Sequence, residues 1–176
     1  MLCFRETLDN PGDLIDMPTA SCTFTLNGQA TSTLTCDGRV YVAFSGNKGH
    51  ENKPGDTGIA GQGPLPTGRY YIVDRESGGR LGPMMDSIRS AVSNSNHAEW
   101  FALYRDDGAI DDWTFVSGVR RGNFRLHPVG PRGISEGCVT LVSKQQFAAL
   151  RTYLKSRQTG VVPGTNTKYY GVLEVK

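Results

Sequence analysis

A mainly β fold (α+β) carrying one packed helix is what this sequence predicts, and three observations predict it. Glycine, at 22 residues, and proline, at nine, supply frequent turns and leave little room for helices. Alternating runs rich in Thr, Val, Tyr and Phe are punctuated by turn signals such as Asn27-Gly28 and Asp37-Gly38. The best helical stretch begins at Ser143, where a start signal precedes sustained helical spacing.

Residues 1–20 hold Pro11-Gly12 and polar runs and read as an irregular lead-in to a single domain over 21–176. Residues 22–44 form a three-stranded meander divided at Asn27-Gly28 and Asp37-Gly38. A two-residue turn at Asn27-Gly28 places Cys22 opposite Thr33, so a Cys22–Cys36 bridge requires a bulge or another register. Ser45 to Gly63 is a long glycine-rich loop, and its length suits a lid, as does that of 77–98. His50, within the first of these, reads as a solvated loop histidine. Arg69–Val73 is a strand, and Gly78-Gly79 marks a turn. A short helix candidate lies near 86–97, where Ile88 and Val92 stand four apart among Ser and Asn. Glu99–Tyr104, Trp113–Val116, Asn123–His127 and Val139–Val142 are further strands, their aromatic side chains assigned to core.

The helix expected over about 143–157 starts with Ser143-Lys144-Gln145-Gln146, which fits a capping box. Phe147, Leu150, Tyr153 and Leu154 then give one apolar face to lay on the sheet. Gly160 and Pro163 end it, and Tyr169–Val175 closes the chain as a strand.

Composition excludes several function classes. The net charge is +2, and Arg120-Arg121 is a pair, not a patch, which argues against nucleic acid. No apolar run approaches the ~20 residues needed to cross a bilayer. The start lacks a basic segment followed by an apolar one, so no signal peptide is expected. That points to synthesis in the cytoplasm, or to export by a route that reads no such signal. The four cysteines match no zinc spacing, the three histidines complete no metal set, and no cofactor is expected.

The chemistry concentrates in Arg125-Leu126-His127-Pro128 and Ser135-Glu136-Gly137-Cys138-Val139-Thr140. Ten residues separate His127 from Cys138, and Gly130, Pro131 and Gly133 suit a loop that folds the imidazole back onto the sulfur. A free cysteine beside an apolar strand commonly just fills core space. Against that stand Gly137, which leaves backbone N–H groups accessible, the polar Ser135 and Glu136 at the mouth of an apolar strand, and the base across a closable loop. Cys138 therefore reads as a nucleophile and His127 as its base.

These residues resemble the catalytic domain of the L,D-transpeptidases. The path runs from Pro66-Thr67-Gly68-Arg69-Tyr70 through a histidine at a strand end to Ser-x-Gly-Cys and then a helix. Two departures stand out: the His–Cys gap is shorter than usual, and Glu136 occupies the place of the motif's second histidine. The shortened form resembles a narrower group, the L,D-transpeptidase-like effectors of type VI secretion. Gly63–Gly68, Trp100–Tyr104 and Gly171–Val175 are similar to that group as well, so the resemblance covers roughly 20–176.

The resemblance implies an L,D-transpeptidase-like β-sandwich or barrel and acyl transfer on the peptide stems of peptidoglycan. Cys138 would attack the carbonyl of the third stem residue, expel D-Ala and form a thioester, with His127 relaying the proton. Gly137 and Cys138 would supply oxyanion donors, the Pro128 carbonyl would orient the imidazole, and Ser135 would tether the loop. Arg125, Glu136 and Thr140 would face the substrate. Also implied are secretion machinery, action in the periplasm of a recipient bacterium, and a cognate immunity protein plugging the cleft. The rival readings are another Cys–His peptidoglycan endopeptidase and a non-catalytic wall-binding module.

Overall fold

Alternation of apolar and polar side chains sets the first strands. Ala20–Phe24 (β1) and Ser32–Cys36 (β2) each bury every second residue, and Arg39–Phe44 (β3) follows through the Asp37-Gly38 turn. Both turn residues have positive φ, 45° and 81°, as a two-residue hairpin turn of this hand demands. The structure, a computed structural model, describes residues 18–75 and 99–176. Cys3, most of the lead-in, the Gly78-Gly79 turn, the helix candidate at 86–97 and the whole of the second lid candidate lie outside the described residues.

Gly68–Asp74 (β4), Phe101–Arg105 (β5), Trp113–Val116 (β6), Val119–Gly122 (β7), Arg125–Pro128 (β8) and Val139–Leu141 (β9) come next. The helix Lys144–Lys155 (α1) and the strands Gly160–Val161 (β10) and Lys168–Val175 (β11) complete the chain. The main sheet runs β1-β2-β3-β9-β8-β5-β4-β11, and β11 also pairs β1 in parallel, closing an eight-stranded barrel. Closure removes the exposed edges that an open sheet would offer to other chains. β10 adds to the start of β11, while β6 and β7 form a separate hairpin through Ser117-Gly118.

Phe24, Leu34, Ile72, Leu103, Leu126 and Leu173 meet in one core, which Phe147, Leu150 and Leu154 of α1 join. Ser143 caps the helix, its Oγ accepting from the Gln146 N–H at 3.3 Å. Gln146 does not return the favour as a full capping box would. Its Oε1 accepts instead from the Val42 N–H at 3.1 Å, which ties the helix to β3.

The first hairpin corrects the sequence expectation. Cys22 stands opposite Cys36 and Phe24 opposite Leu34, with residues 25–31 as the loop, and Cys22 and Cys36 form a disulfide. The register expected from Asn27-Gly28 pairs even-numbered with odd-numbered residues. It would put Cys22 and Phe24 on one face and Leu34 and Cys36 on the other. Burying all four together outweighs the tight turn. Asn27 then serves inside the loop, where its Oδ1 accepts from the Gln29 N–H at 3.0 Å.

One connection positions the site. β8 and β9 are adjacent and parallel, so the chain must return to the start of β8 before β9 can form. It does so through residues 129–138 without an intervening helix. Leu126 pairs with Val139 and His127 with Thr140, which sets Cys138 beside Arg125. Leu126, Val139 and Leu141 point into the core. By alternation Arg125, His127, Cys138 and Thr140 share the opposite face.

Candidate functional site

Over that face lies a cavity of about 320 Å³, whose lining includes His127, Cys138, Arg125, Glu136 and Trp100. The β8–β9 return contributes much of one side through Gly130, Arg132, Gly133, Ile134 and Ser135, and the β6–β7 hairpin contributes Trp113, Arg120 and Arg121. The structure thus brings the expected base and nucleophile into one cavity wall, two register positions apart on neighbouring strands.

His127 is buried, and Trp100 stacks on its ring at 4.3 Å with planes 20° apart. Its Nδ1 lies 2.8 Å from the Pro128 carbonyl oxygen. A carbonyl can only accept, so Nδ1 carries the proton and the neutral ring leaves Nε2 unprotonated. The Thr140 hydroxyl, 3.3 Å away, then donates to Nε2. The ring is held in the tautomer a general base needs.

Cys138 keeps partial exposure to the cavity while protein surrounds the sulfur elsewhere. That burial pushes its thiol up to about 11, against the charge of Arg125, the Arg125 backbone N–H that donates to the sulfur, and the charge of Arg75; Glu136 adds to the rise. The resting sulfur at neutral pH is therefore a thiol, which donates to the Asn123 carbonyl at 3.8 Å. Such a thiol becomes nucleophilic when its proton is removed in the act of attack.

The supporting residues are tightly held. Ser135 Oγ donates to the Cys138 carbonyl at 2.6 Å, closing the loop on itself. Gly137 has φ +110°, and a Cβ there would come within 2.6 Å of Arg121 Nη2. Glu136 is exposed at the rim of the cavity. Thr140, expected at the substrate, is fully buried and engaged with His127. Arg125, also expected at the substrate, lines the cavity. Its terminal nitrogens meet both Asp112 carboxylate oxygens, at 2.6 and 3.0 Å, in a buried bidentate pair. Burial opposes the Arg125 charge, but the Asp112 bonds outweigh it and hold the guanidinium more basic than usual.

The loop after Ser45 is fastened at several points. Asn52 accepts from the Ser45 N–H at 2.9 Å and donates to the Gln29 carbonyl at 2.8 Å. Asn47 Nδ2 donates to the Ser135 carbonyl at 2.7 Å, which fastens this loop to the β8–β9 return. Arg121, 3% exposed, reaches the carbonyls of Thr57, Gly63 and Pro64. His50 pairs with Asp56 at 2.8 Å and is absent from the cavity lining.

Sequence pattern alone does not mark Asn47, Trp100, Asp112 or Arg121 as site residues. Trp100 reads as a core aromatic, and Arg121 reads only as half of the Arg120-Arg121 pair. The strand Val119–Gly122 had a usable signal in Ser117-Gly118, whose φ values of 50° and 80° make a hairpin turn. Among the described residues no group of His, Cys, Asp and Glu could hold a metal ion, and no helix is long and apolar enough to cross a membrane.

Comparison with known proteins adds one finding. The family model of the Tlde1 domain matches residues 39–165, a span that takes in the whole cavity wall from β3 through α1. No curated protein and no solved structure matches the chain.

Proposed function

From the premise that this chain belongs to the Tlde1 domain family, a family of type VI secretion effectors, we propose that it is a cysteine L,D-carboxypeptidase or L,D-transpeptidase acting on peptidoglycan. The observation that carries the reading is the His127 tautomer: an Nε2 held unprotonated in the same cavity wall as an unpaired thiol. The thiol proton passes to Nε2 as sulfur attacks the third stem residue's carbonyl. The backbone N–H groups of Gly137 and Cys138 receive the oxyanion, each such donor being worth roughly 3 kcal/mol in comparable hydrolases. Collapse expels D-Ala, which takes the proton from His127, and leaves a thioester on Cys138.

Water resolving that thioester gives carboxypeptidase products, and an amine gives transpeptidation or D-amino-acid exchange. The family brings with it secretion machinery and an immunity protein. We place the site of action in the recipient's periplasm. The Cys22–Cys36 disulfide supports that placement, because such bonds persist in oxidising compartments.

The test is mass spectrometry of peptidoglycan fragments after incubation with wild type and Cys138→Ala. Loss of one alanine from tetrapeptide stems with wild type alone is the expected result. Cleavage at another bond moves the protein to the endopeptidases, and no cleavage by wild type refutes the enzymatic reading. Adding a labelled D-amino acid separates exchange from hydrolysis.

A further inference from the structure

The fixed charge beside the sulfur has a role that neither the family nor the acyl-transfer reading assigns. Arg125 sits in register with Cys138 across the parallel β8–β9 pair and lines the same cavity. Two bonds to Asp112 and a third from Nη1 to the Phe124 carbonyl at 2.8 Å immobilise its guanidinium. Among the described residues, no acceptor meets its buried Nε. A buried donor without an acceptor is costly, and here it belongs to a cation whose neighbour becomes an anion during the reaction.

We propose that Arg125, clamped by Asp112, is a positioning residue for Cys138: its charge holds the sulfur anion that forms when the thiol proton leaves for His127, and Asp112 sets how much of that charge the sulfur feels. The inference rests on the reading of Cys138 as the nucleophile. In this chain Glu136 stands two residues before the sulfur, so its own loop brings a charge of the wrong sign. The compensating charges come from other elements. Arg125 faces Cys138 from β8, Arg121 from β7 and Arg75 from just past the end of β4, with Asp112 behind Arg125; His127, also on β8, stands by as a neutral ring. Arg121 spends its guanidinium on three loop carbonyls, which makes it an anchor for the loop. Arg125 differs because an anion is paired to it, and that pairing gives a test of sign.

The experiment follows the rate of Cys138 alkylation by iodoacetamide from neutral to alkaline pH, read by peptide mass, in the intact chain. Arg125→Met strips the cation and leaves Asp112 uncompensated, so the midpoint rises by roughly one unit or more. Asp112→Asn strips the anion and leaves the cation, so the midpoint falls by a comparable amount. Arg125→Lys stays nearer wild type than Arg125→Met, and the double variant Asp112→Asn with Arg125→Met returns toward wild type. Near-UV circular dichroism checks that each variant is folded. If Asp112→Asn fails to fold, the Lys, Met and double variants decide. Midpoints that move in the same direction for both single variants, or a Lys variant that behaves as the Met variant, overturn the proposal, because a merely structural pair predicts no reversal of sign. Wild-type D-Ala release is measured alongside. Its absence defeats the acyl-transfer reading while leaving the titration interpretable, and its presence with unmoved midpoints defeats the proposal alone.

Discussion

At Gly137 a single missing methyl group governs the geometry of the site. The residue adopts φ +110°, and an added Cβ would meet Arg121 Nη2 at 2.6 Å and the Phe124 ring at 3.1 Å. Arg121 cannot yield cheaply, since the same nitrogen bonds the Gly63 carbonyl at 2.9 Å. Gly137→Ala is therefore expected to cost about 1–3 kcal/mol in backbone strain, lowering the melting temperature by roughly 5 °C. It should lower kcat by a larger factor than stability alone accounts for, because in the proposed mechanism the backbone at Gly137 and Cys138 supplies the oxyanion donors. Melting curves and D-Ala release on the same preparation check both parts. The pair His127 and Cys138 was legible in sequence because a short loop joins them. Asn47 was not, because its anchor at the Ser135 carbonyl lies 88 positions away, and a side chain that reaches so far leaves no local pattern.

Among the elements, the first hairpin and the helix teach different lessons. The helix was readable nearly to the residue because its signals are local: Ser143 caps it, and Phe147, Leu150, Tyr153 and Leu154 form its buried face. The hairpin departs from its sequence expectation because a strong turn signal competes with the face pattern, and the face pattern wins. Its consequence is the Cys22–Cys36 crosslink between β1 and β2, across a sequence separation of 14. In the chain-entropy picture a loop of this size stabilises the fold by about 3 kcal/mol. Cys22→Ser with Cys36→Ser, or simple reduction, should lower the urea midpoint accordingly while leaving Cys138 alkylation unchanged. A midpoint insensitive to reductant contradicts this.

For the whole molecule, barrel closure and helix docking meet at one surface cluster. Lys155 at the end of α1 bonds Asp74 of β4 and, at 2.7 Å, the Tyr170 hydroxyl of β11, and Tyr170 donates to Asp74 at 2.5 Å. Burial works to raise the Asp74 carboxyl, but the bonds from Lys155 and Tyr170 prevail and hold it below its ordinary range. A carboxylate depressed in the folded state stabilises the fold at neutral pH and loses that contribution as pH falls through its folded value. The melting temperature should therefore fall on acidification, and Asp74→Asn should blunt the fall. A variant as acid-sensitive as wild type removes Asp74 from the account. The barrel's closure was beyond sequence reading, because the parallel pairing of β1 with β11 joins opposite ends of the chain and has no signature in either strand.

The catalytic account comes down to a covalent bond between Cys138 and a peptide stem. Intact-protein mass spectrometry during turnover of a tetrapeptide stem, followed by peptide mapping, tests it most directly. The predicted result is an added tripeptide acyl group on the peptide containing Cys138, appearing with release of D-Ala and absent from Cys138→Ala. Steady D-Ala release by Cys138→Ala, or an acyl group mapped to any other residue, would contradict it.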